Sequence, residues 1–306
     1  MARYIIKRLI YGLITILLVV LLTFAIQFML PGDPARVIAG PRASPEVLAR
    51  VRDSLNLNDP MLLQMWHYVS AVATGDLGES YARKQPVSDL ILQRLPATAV
   101  LAGTALVIEV VLGTALGIWE ALREKRSWVL ATANVGLLSM PAFALAFLLL
   151  LLFGYVMPIF PVSGGTGVTH LVLPAFTLGL LGAPYYANVV RDGLKEALTA
   201  SYTRSAVAKG LPRRFIVVRH VLRNAMPPTI TMVGMDVAIM FSGIVFVETI
   251  FGWPGIGALQ TQAFADVDRP LLTGTVIVAA VLVVVGNLVA DVVRALVDPR
   301  VKDNAL

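Results

Sequence analysis

Six long apolar runs constrain the fold of this chain more than any other feature of its sequence. Each has roughly 20 residues or more, which is enough for a helix to cross about 30 Å of hydrocarbon. Because backbone polar groups inside a bilayer must be satisfied within the protein, each run is predicted to be a helix. The expected fold is therefore an all-α integral membrane protein with six transmembrane helices. The runs are Leu9–Leu30, Ala97–Trp119, Trp128–Val156, Leu171–Val190, Met226–Val247 and Leu271–Ala290.

The distribution of basic residues predicts which ends of these helices face the cytoplasm. When the N-terminus is placed inside and the spans alternate, most of the 25 Lys and Arg residues fall in the inner segments. This agrees with the positive-inside rule, which is weak only for the long outer segment after the first span. Both termini are therefore predicted to be cytoplasmic.

The segment between the first two runs, residues 31–96, is predicted to form short helices outside the membrane. In "ASPEVLARVRDSLNL" Ser44 is a candidate N-cap and Pro45 the first helical residue. The stretch "NDPMLLQMWHYV" repeats this pattern, with Asp59 as the candidate cap. This helical extracytoplasmic segment either shields the helix bundle or docks an external partner.

The motifs that would indicate a membrane enzyme do not occur in the sequence. It contains no G-x-x-x-x-G-K-[ST], no H-E-x-x-H and no G-x-S-x-G. The count of 0 Cys also excludes disulfides, thiol catalysis and cysteine-ligated zinc. We expect no catalytic residue, cofactor or metal in this chain, so any ATP hydrolysis must take place on another chain. The basic residues flank apolar runs, which favours membrane lipid over nucleic acid as their partner.

Residues that bend helices, or that let them approach closely, occur in three of the predicted spans. Pro141 predicts an irregular third span, and Pro174 and Pro184 predict an irregular fourth span. Gly113 and Gly117 form a small-xxx-small pattern in the second span. This pattern allows two helices to pack at short range.

Two carboxylates lie near the middle of predicted spans, where a charged side chain costs about 2.5–3.5 kcal/mol on insertion scales. Glu109 is in the second span and Asp236 is in the fifth. Each should therefore face protein or water. Either they line a hydrophilic translocation path, or they join helices through hydrogen bonds. No Lys or Arg lies in the middle of a span, so an ion pair within the chain explains neither residue.

The segment 202–224 is strongly basic and contains no acidic residue. A short helix is predicted from Glu196 to Lys209, ended by Gly210 in a left-handed conformation and by Pro212. A second helical stretch, Arg213–Asn224, leads to the fifth span. Such a segment either lies on anionic lipid or projects into a cleft on a partner protein.

The same segment resembles the cytoplasmic coupling loop of ABC importer permeases of the dipeptide/oligopeptide/nickel family. The general loop pattern is Glu-Ala-Ala, three residues, then Gly. Anchored on Gly210, this sequence has Arg204, Ser205 and Ala206 there, a departure similar to that of the peptide subfamily. Other stretches follow in the order of the family: "LPGDP" (Leu30–Pro34), "LNLNDP" (Leu55–Pro60), "GDLGESY" (Gly75–Tyr81), "RLPAT" (Arg94–Thr98), "VETIFGWPGIG" (Val247–Gly257) and "VDPRV" (Val297–Val301).

The resemblance implies the first, B-type permease subunit of an importer in a bacterial cytoplasmic membrane. Such a subunit would form the pathway together with a paralogous permease, and a substrate-binding protein would deliver cargo to the outer face. Two ATPase subunits, which hold the ATP and Mg, would bind the coupling loops. Short peptides are the expected cargo, with nickel chelates or haem as alternatives. A proton-coupled secondary transporter and a membrane scaffold are the competing classes.

The implied organisation has three parts. Residues 1–30 are the cytoplasmic N-terminus and first span, 31–96 the extracytoplasmic segment, and 97–306 the permease core with five spans. Within the core, 191–225 is the coupling loop and 248–270 an extracytoplasmic loop. Glu109 and Asp236 are the candidate path residues. The residues implied to couple to an ATPase are Tyr202, Arg204, Ser205, Ala206, Ala208, Lys209, Gly210 and Leu211.

Overall fold

The computed structural model describes residues 2–29, 33–40, 42–123 and 128–297. In these ranges the regular structure is helical, and a single β-bridge joins Glu79 to Pro86. The predicted all-α class is therefore confirmed. The helices are α1 (Ala2–Met29), α2 (Pro34–Ala39), α3 (Pro45–Ser54), α4 (Met61–Ala73), α5 (Val87–Leu122), α6 (Trp128–Ser139), α7 (Ala142–Leu150), α8 (Val168–Thr199), α9 (Ser201–Ala208), α10 (Arg213–Ile216), α11 (Leu222–Ala225), α12 (Pro227–Phe251), α13 (Ile256–Ala265) and α14 (Arg269–Val297), with π-helical turns at Leu151–Val156 and Val217–Val221.

Among the described residues, 4 helices are long and apolar enough to cross a membrane: most of α1, α5, α8 and most of α14. If the bent pair of α6 and α7 crosses the membrane as one segment, it is a fifth span. α12 is helical where the fifth span was predicted. Six spans and cytoplasmic termini therefore stay predictions. Leu30 and residues 298–306, which belong to the first predicted span and the C-terminus, lie outside the described residues.

The third predicted span is broken at Pro141. α6 and the helical segment that starts at Ala142 meet at 112°, so Trp128–Val156 is a broken span or a re-entrant pair and not one straight helix. Pro141 occupies the N-cap of α7 with an extended backbone (φ −62°, ψ 142°). Because proline has no N–H to donate, it cannot continue the hydrogen bonding of α6. By contrast, α8 runs without interruption through Pro174 and Pro184.

α5 and α8 pack against each other along most of their length, and glycines make this approach possible. A Cβ added to Gly113 would lie 2.4 Å from Tyr186 Cβ and 2.5 Å from the Ala183 carbonyl oxygen. A Cβ added to Gly117 would lie 2.6 Å from the Ala187 carbonyl oxygen. The close approach predicted from the small-xxx-small pattern is confirmed.

Two ion pairs tie the helices together at one end of the bundle. Arg191 Nη1 of α8 lies 3.3 Å from Glu120 Oε2 of α5. Arg8 Nε of α1 lies 3.0 Å from Asp291 Oδ2 of α14. The start of α1 and the last part of α14 are therefore at the same end of the bundle.

The described part of residues 31–96, the predicted extracytoplasmic segment that we call the outer segment, includes α2, α3 and α4. Ser44 Oγ accepts a hydrogen bond from Val47 N at 3.4 Å, which confirms the predicted cap of α3. At α4 the predicted cap is wrong, because Pro60 holds the N-cap position and no side chain caps the helix. Asp59 instead lies one residue too early, and its carboxylate is 4.0 Å from His67 Nδ1.

Candidate functional site

The end of α8 determines where the candidate coupling helix begins. α8 continues to Thr199, Ala200 leaves the helical conformation (φ −65°, ψ 154°), and α9 starts at Ser201. The single helix predicted for Glu196–Lys209 is therefore wrong, because this stretch contains the last turn of one helix and all of another. The break makes α9 a separate element that can project away from the bundle.

Side chains of α9 satisfy the carbonyl groups that the end of α8 leaves free. Arg204 donates from Nε and Nη2 to the Thr199 carbonyl oxygen, at 3.1 and 2.9 Å. Thr203 Oγ1 donates to the Ala197 carbonyl oxygen at 2.7 Å. The arginine that stands at the acidic position of the general loop pattern is thus bound to the C-terminal end of a helix, where a cation is favoured by the helix dipole.

Gly210 ends α9 in the left-handed conformation, with φ +73°, as the sequence predicted. Its N–H donates to the Val207 carbonyl oxygen at 2.9 Å, and the Leu211 N–H donates to the Ala206 carbonyl oxygen at 3.3 Å. These two bonds form a Schellman motif, which fixes both the end of the helix and the direction of the chain that follows. A Cβ on Gly210 would have no atom within 4 Å, so a replacement here is opposed only by the backbone conformation.

α9 is anchored along one side and exposed along the other. Thr203 and Ala206 are buried and Leu211 is half-buried, so they hold the helix against the bundle. The remaining candidate coupling residues are exposed: Tyr202, Arg204, Ser205, Ala208, Lys209 and Gly210.

A buried cluster connects this loop to the long helices. Ala206 of α9 belongs to the same apolar cluster as Ala121 of α5 and Leu194 of α8. Ile216 and Val221, from the segment after α9, complete the contact. The loop is therefore joined to α5 and α8 by direct packing of buried side chains.

Glu109 lies in the α5–α8 interface, where it is 5% exposed. Gly182 provides the space, since a Cβ there would lie 1.8 Å from Glu109 Oε1. In the described part of the chain no hydrogen bond reaches this carboxyl group, while the Asp236 carboxyl group acts on it electrostatically. The described contacts of this carboxyl group are therefore packing against α8 and the nearby charge of Asp236.

Asp236 of α12 is half-buried, and it accepts a hydrogen bond from the hydroxyl group of buried Tyr186 on α8. The structure therefore brings the two predicted carboxylates close together at the junction of α5, α8 and α12. Asp236 joins two helices through its bond, whereas the contacts of Glu109 with α8 among the described residues are packing contacts.

The sequence analysis did not identify a second buried glutamate, Glu248, near the end of α12. Glu248 is 0% exposed, and Thr98 Oγ1 of α5 donates to its Oε1 at 2.7 Å. Gly257 N and Ala258 N, at the start of α13, donate to its Oε2 at 2.7 and 3.1 Å. The carboxyl group thus caps α13 and fastens it to α5. The "VETIFGWPGIG" stretch carried the signal, an acid at the edge of an apolar run followed by glycines.

Asp268 is a second polar centre that the sequence analysis missed. It is fully buried and accepts hydrogen bonds from the Ser80 hydroxyl group and from Tyr81 N and Ala82 N. It also accepts from Leu271 N at 3.3 Å, in the first turn of α14. This residue clamps the outer segment onto the core. Its position directly before Arg269-Pro270 is the only sequence signal of a helix cap.

Comparison with known proteins agrees with this architecture. The family model described as "Binding-protein-dependent transport system inner membrane component" matches residues 110–303. The model of the corresponding N-terminal part, "Binding-prot-dependent transport system membrane comp, N-term", matches residues 1–102. The chain is 37% identical over 305 residues to "Glutathione transport system permease protein GsiC" of Salmonella typhimurium, which covers 99% of each chain. The protein of the same name from Escherichia coli K12 is also 37% identical, again over 99% of each chain.

Proposed function

Because the chain belongs to the family of binding-protein-dependent transport system inner membrane components, and is thus a multi-pass permease subunit of an ABC importer in a bacterial inner membrane, we propose that its cargo is short peptides. The relatives named as glutathione permeases support this cargo, since glutathione is a tripeptide. Nickel chelates and haem are the alternatives within the family. The subunit is not itself catalytic.

Competition for uptake tests the cargo. The transporter is reconstituted with its binding protein, and uptake of a labelled tripeptide is measured against excess unlabelled peptide, nickel chelate or haem. We expect only peptides to compete. If a nickel chelate or haem competes and peptides do not, the peptide proposal is wrong, while the assignment to the importer family stands.

We propose further that α9 is the element that couples this chain to a separate ATPase subunit. A paralogous permease, two ATPase subunits and an external binding protein complete the proposed transporter. One observation carries the role of α9. This short helix is exposed on one face, ends at a left-handed turn at Gly210, and packs on its other face against a buried cluster that includes residues of α5 and α8. Such a helix can fill a cleft on a partner and pass its movement to the spans.

Substitution of Gly210 tests the coupling role. A β-branched residue with positive φ costs about 1–3 kcal/mol, so Gly210→Val should displace α9 without unfolding the spans. We expect co-purified ATPase and peptide uptake to fall on the order of tenfold, since 1.4 kcal/mol corresponds to a factor of ten. Membrane insertion should be nearly unchanged.

Gly75→Val is the matched control. Gly75 also has positive φ (+85°) and open space around its Cβ position, but it lies in the outer segment. This variant should retain the normal amount of bound ATPase. Normal ATPase binding and uptake in Gly210→Val, or an equal loss of bound ATPase in Gly75→Val, would contradict the proposal.

We also propose that Glu109 and Asp236 face the transport pathway in at least one state. The observation in support is that Glu109 lacks the hydrogen bond that a residue joining helices should make, at least within the described ranges. Because the chain has 0 Cys, cysteines can be introduced singly at both positions. We expect an aqueous thiol reagent to label them with nucleotide bound or without it. If neither cysteine is labelled in either condition, the proposal is wrong, and both residues serve helix packing instead.

A further inference from the structure

The helical stretch after α9 has a surface that differs from that of α9. This stretch, residues 213–225, comprises α10, a π-helical turn and α11, and we call it the basic stretch. Ile216, Val217 and Val221 are buried against the bundle. The opposite side exposes two apolar side chains, Phe215 and Val218, which are 45% and 66% exposed.

Four exposed arginines surround these apolar side chains: Arg213, Arg214, Arg219 and Arg223. Within the described ranges none of the four forms an ion pair, and no acidic residue lies in the basic stretch. Other arginines of the chain do have carboxylate partners, such as Arg191 with Glu120. This exposed surface is both apolar and cationic, and within the described ranges it has no partner of opposite charge.

The position of the basic stretch indicates which kind of partner binds this surface. α11 ends at Ala225 and α12, which occupies the predicted fifth span, begins at Pro227. At 1.5 Å per residue, Arg219 and Arg223 lie within roughly 12 Å of the start of α12 along the helix. Next to a predicted span, this distance places the two side chains in or beside the headgroup region, which is about 5–8 Å thick on each side. A helix with basic residues on its polar side and Phe or Val on its apolar side is typical of a membrane interface.

We propose that the basic stretch binds anionic phospholipid of the cytoplasmic leaflet. The arginines contact the headgroups, and Phe215 and Val218 enter the boundary of the acyl chains. α9 then stays free for a protein partner. The inference rests on the proposed cytoplasmic position of the loop, but not on the cargo or on the ATPase.

Two valines provide a matched pair of probe positions. Val218 lies in the basic stretch and Val207 in α9, and they are 66% and 61% exposed. Each is replaced by cysteine in this Cys-free chain and carries a nitroxide label, and the full chain is placed in nanodiscs without ATPase subunits. Collision with oxygen reports contact with lipid, and collision with a water-soluble nickel chelate reports contact with water.

In nanodiscs that contain phosphatidylglycerol, the label at position 218 should collide with oxygen several-fold more often, relative to nickel, than the label at position 207. This ratio should fall in pure phosphatidylcholine. It should also fall in 0.5 M salt, which screens charges beyond a few ångströms, and when the four arginines are replaced by glutamine. The salt result does not depend on the folding of the multiple variant.

Three outcomes would overturn the proposal. The first is an equal preference for water at both positions in every lipid. The second is a response at position 218 to added ATPase subunits and not to lipid, which would assign the surface to a protein partner. The third is an equal response to phosphatidylglycerol at positions 207 and 218, which would mean that the whole loop lies on the membrane.

Discussion

Two buried glutamates show how differently this fold treats a carboxyl group. Glu248 and Glu109 are 0% and 5% exposed, and each occupies space that a glycine leaves open. A Cβ on Gly255 would lie 2.0 Å from Glu248 Oε1, and a Cβ on Gly182 would lie 1.8 Å from Glu109 Oε1. Glu248 accepts three hydrogen bonds from other elements. Glu109 accepts none within the described part of the chain.

This difference separates a structural role from a functional one. A buried carboxyl group whose acceptor positions are filled holds helices together, and such satisfied groups are the rule in proteins. A carboxyl group within a span that has no hydrogen-bond partner among the described residues, beside a second carboxylate, is by default a candidate for a role in function. On this basis Glu248 fastens α13 to α5, and Glu109 is the candidate for a role in transport.

The largest effect that we predict is on Glu248. In Glu248→Ala, the Thr98 hydroxyl group and two backbone N–H groups at the start of α13 lose their acceptor. Each unsatisfied buried donor costs about 1–3 kcal/mol, so the loss should be roughly 3 kcal/mol or more. We expect a clear fall in the thermal unfolding temperature in detergent. This temperature is measured from the fraction of protein that stays monodisperse after heating.

Glu109→Gln is the contrasting variant. It keeps the shape of the side chain and removes no hydrogen bond of the described structure. Its unfolding temperature should equal or exceed that of the unmodified protein, whereas Glu248→Gln places an NH₂ group opposite donors and should lower it. If both glutamine variants are equally destabilised, the distinction between the two glutamates is wrong.

The second prediction concerns the space above Gly182. Gly182→Ala places a methyl group where Glu109 now lies, so one of the two must move, at a cost of about 1–3 kcal/mol. The double variant Gly182→Ala/Glu109→Ala should recover most of that stability, because the two changes remove the same collision. Unfolding of both single variants and the double variant forms a double-mutant cycle.

A coupling energy near zero in this cycle would show that Gly182 does not hold Glu109 in place. Gly103→Ala on α5 is the control, since a Cβ there has nothing within 4 Å. It should be neutral or slightly stabilising, as alanine favours a helix by up to about 1 kcal/mol over glycine.

Features set by nearby residues could be predicted from the sequence. Gly210 is an example, because both hydrogen bonds of its turn come from residues within five positions of each other. The irregularity at Pro141 and the cap at Ser44 were likewise predicted, although not that Pro141 breaks the span into two helices, since both features follow from one side chain and its own backbone. The break at Ala200 was missed, because alanine favours helix and carries no signal for an interruption.

Features set by distant residues could not be predicted in the same way. Thr98 and Glu248 are 150 positions apart, and Ser80 and Asp268 are 188 apart. No local pattern tells which buried acid will meet which hydroxyl group. For Glu109 and Asp236 the sequence indicated that each must avoid lipid. It did not indicate that Asp236 would be bonded to Tyr186, or that Glu109 would have no hydrogen bond among the described residues.

The smallest predicted effect concerns Asp33, a carboxylate that is only partly buried and that has hydrogen-bond partners. In the outer segment, a hydrogen bond from Arg52 holds the pKa of Asp33 below its ordinary value, and the two side chains are 24% (Asp33) and 44% (Arg52) exposed. An ion pair this exposed contributes about 0–1 kcal/mol. Arg52→Ala should therefore reduce hydrogen-exchange protection of α2 and α3 only slightly at pH 7.

The sign of the pH dependence follows from the lowered pKa. The pair stabilises the folded segment fully above the ordinary pKa of Asp33, 3.8, and the contribution is lost as the pH falls through the lower folded value. The small difference between Arg52→Ala and the unmodified protein should thus shrink in acid, once intrinsic exchange rates are corrected. Arg50→Ala, on the same helix, should show no such pH-dependent difference. An Arg52→Ala effect as large as that of Glu248→Ala would mean that burial is not what makes Glu248 important.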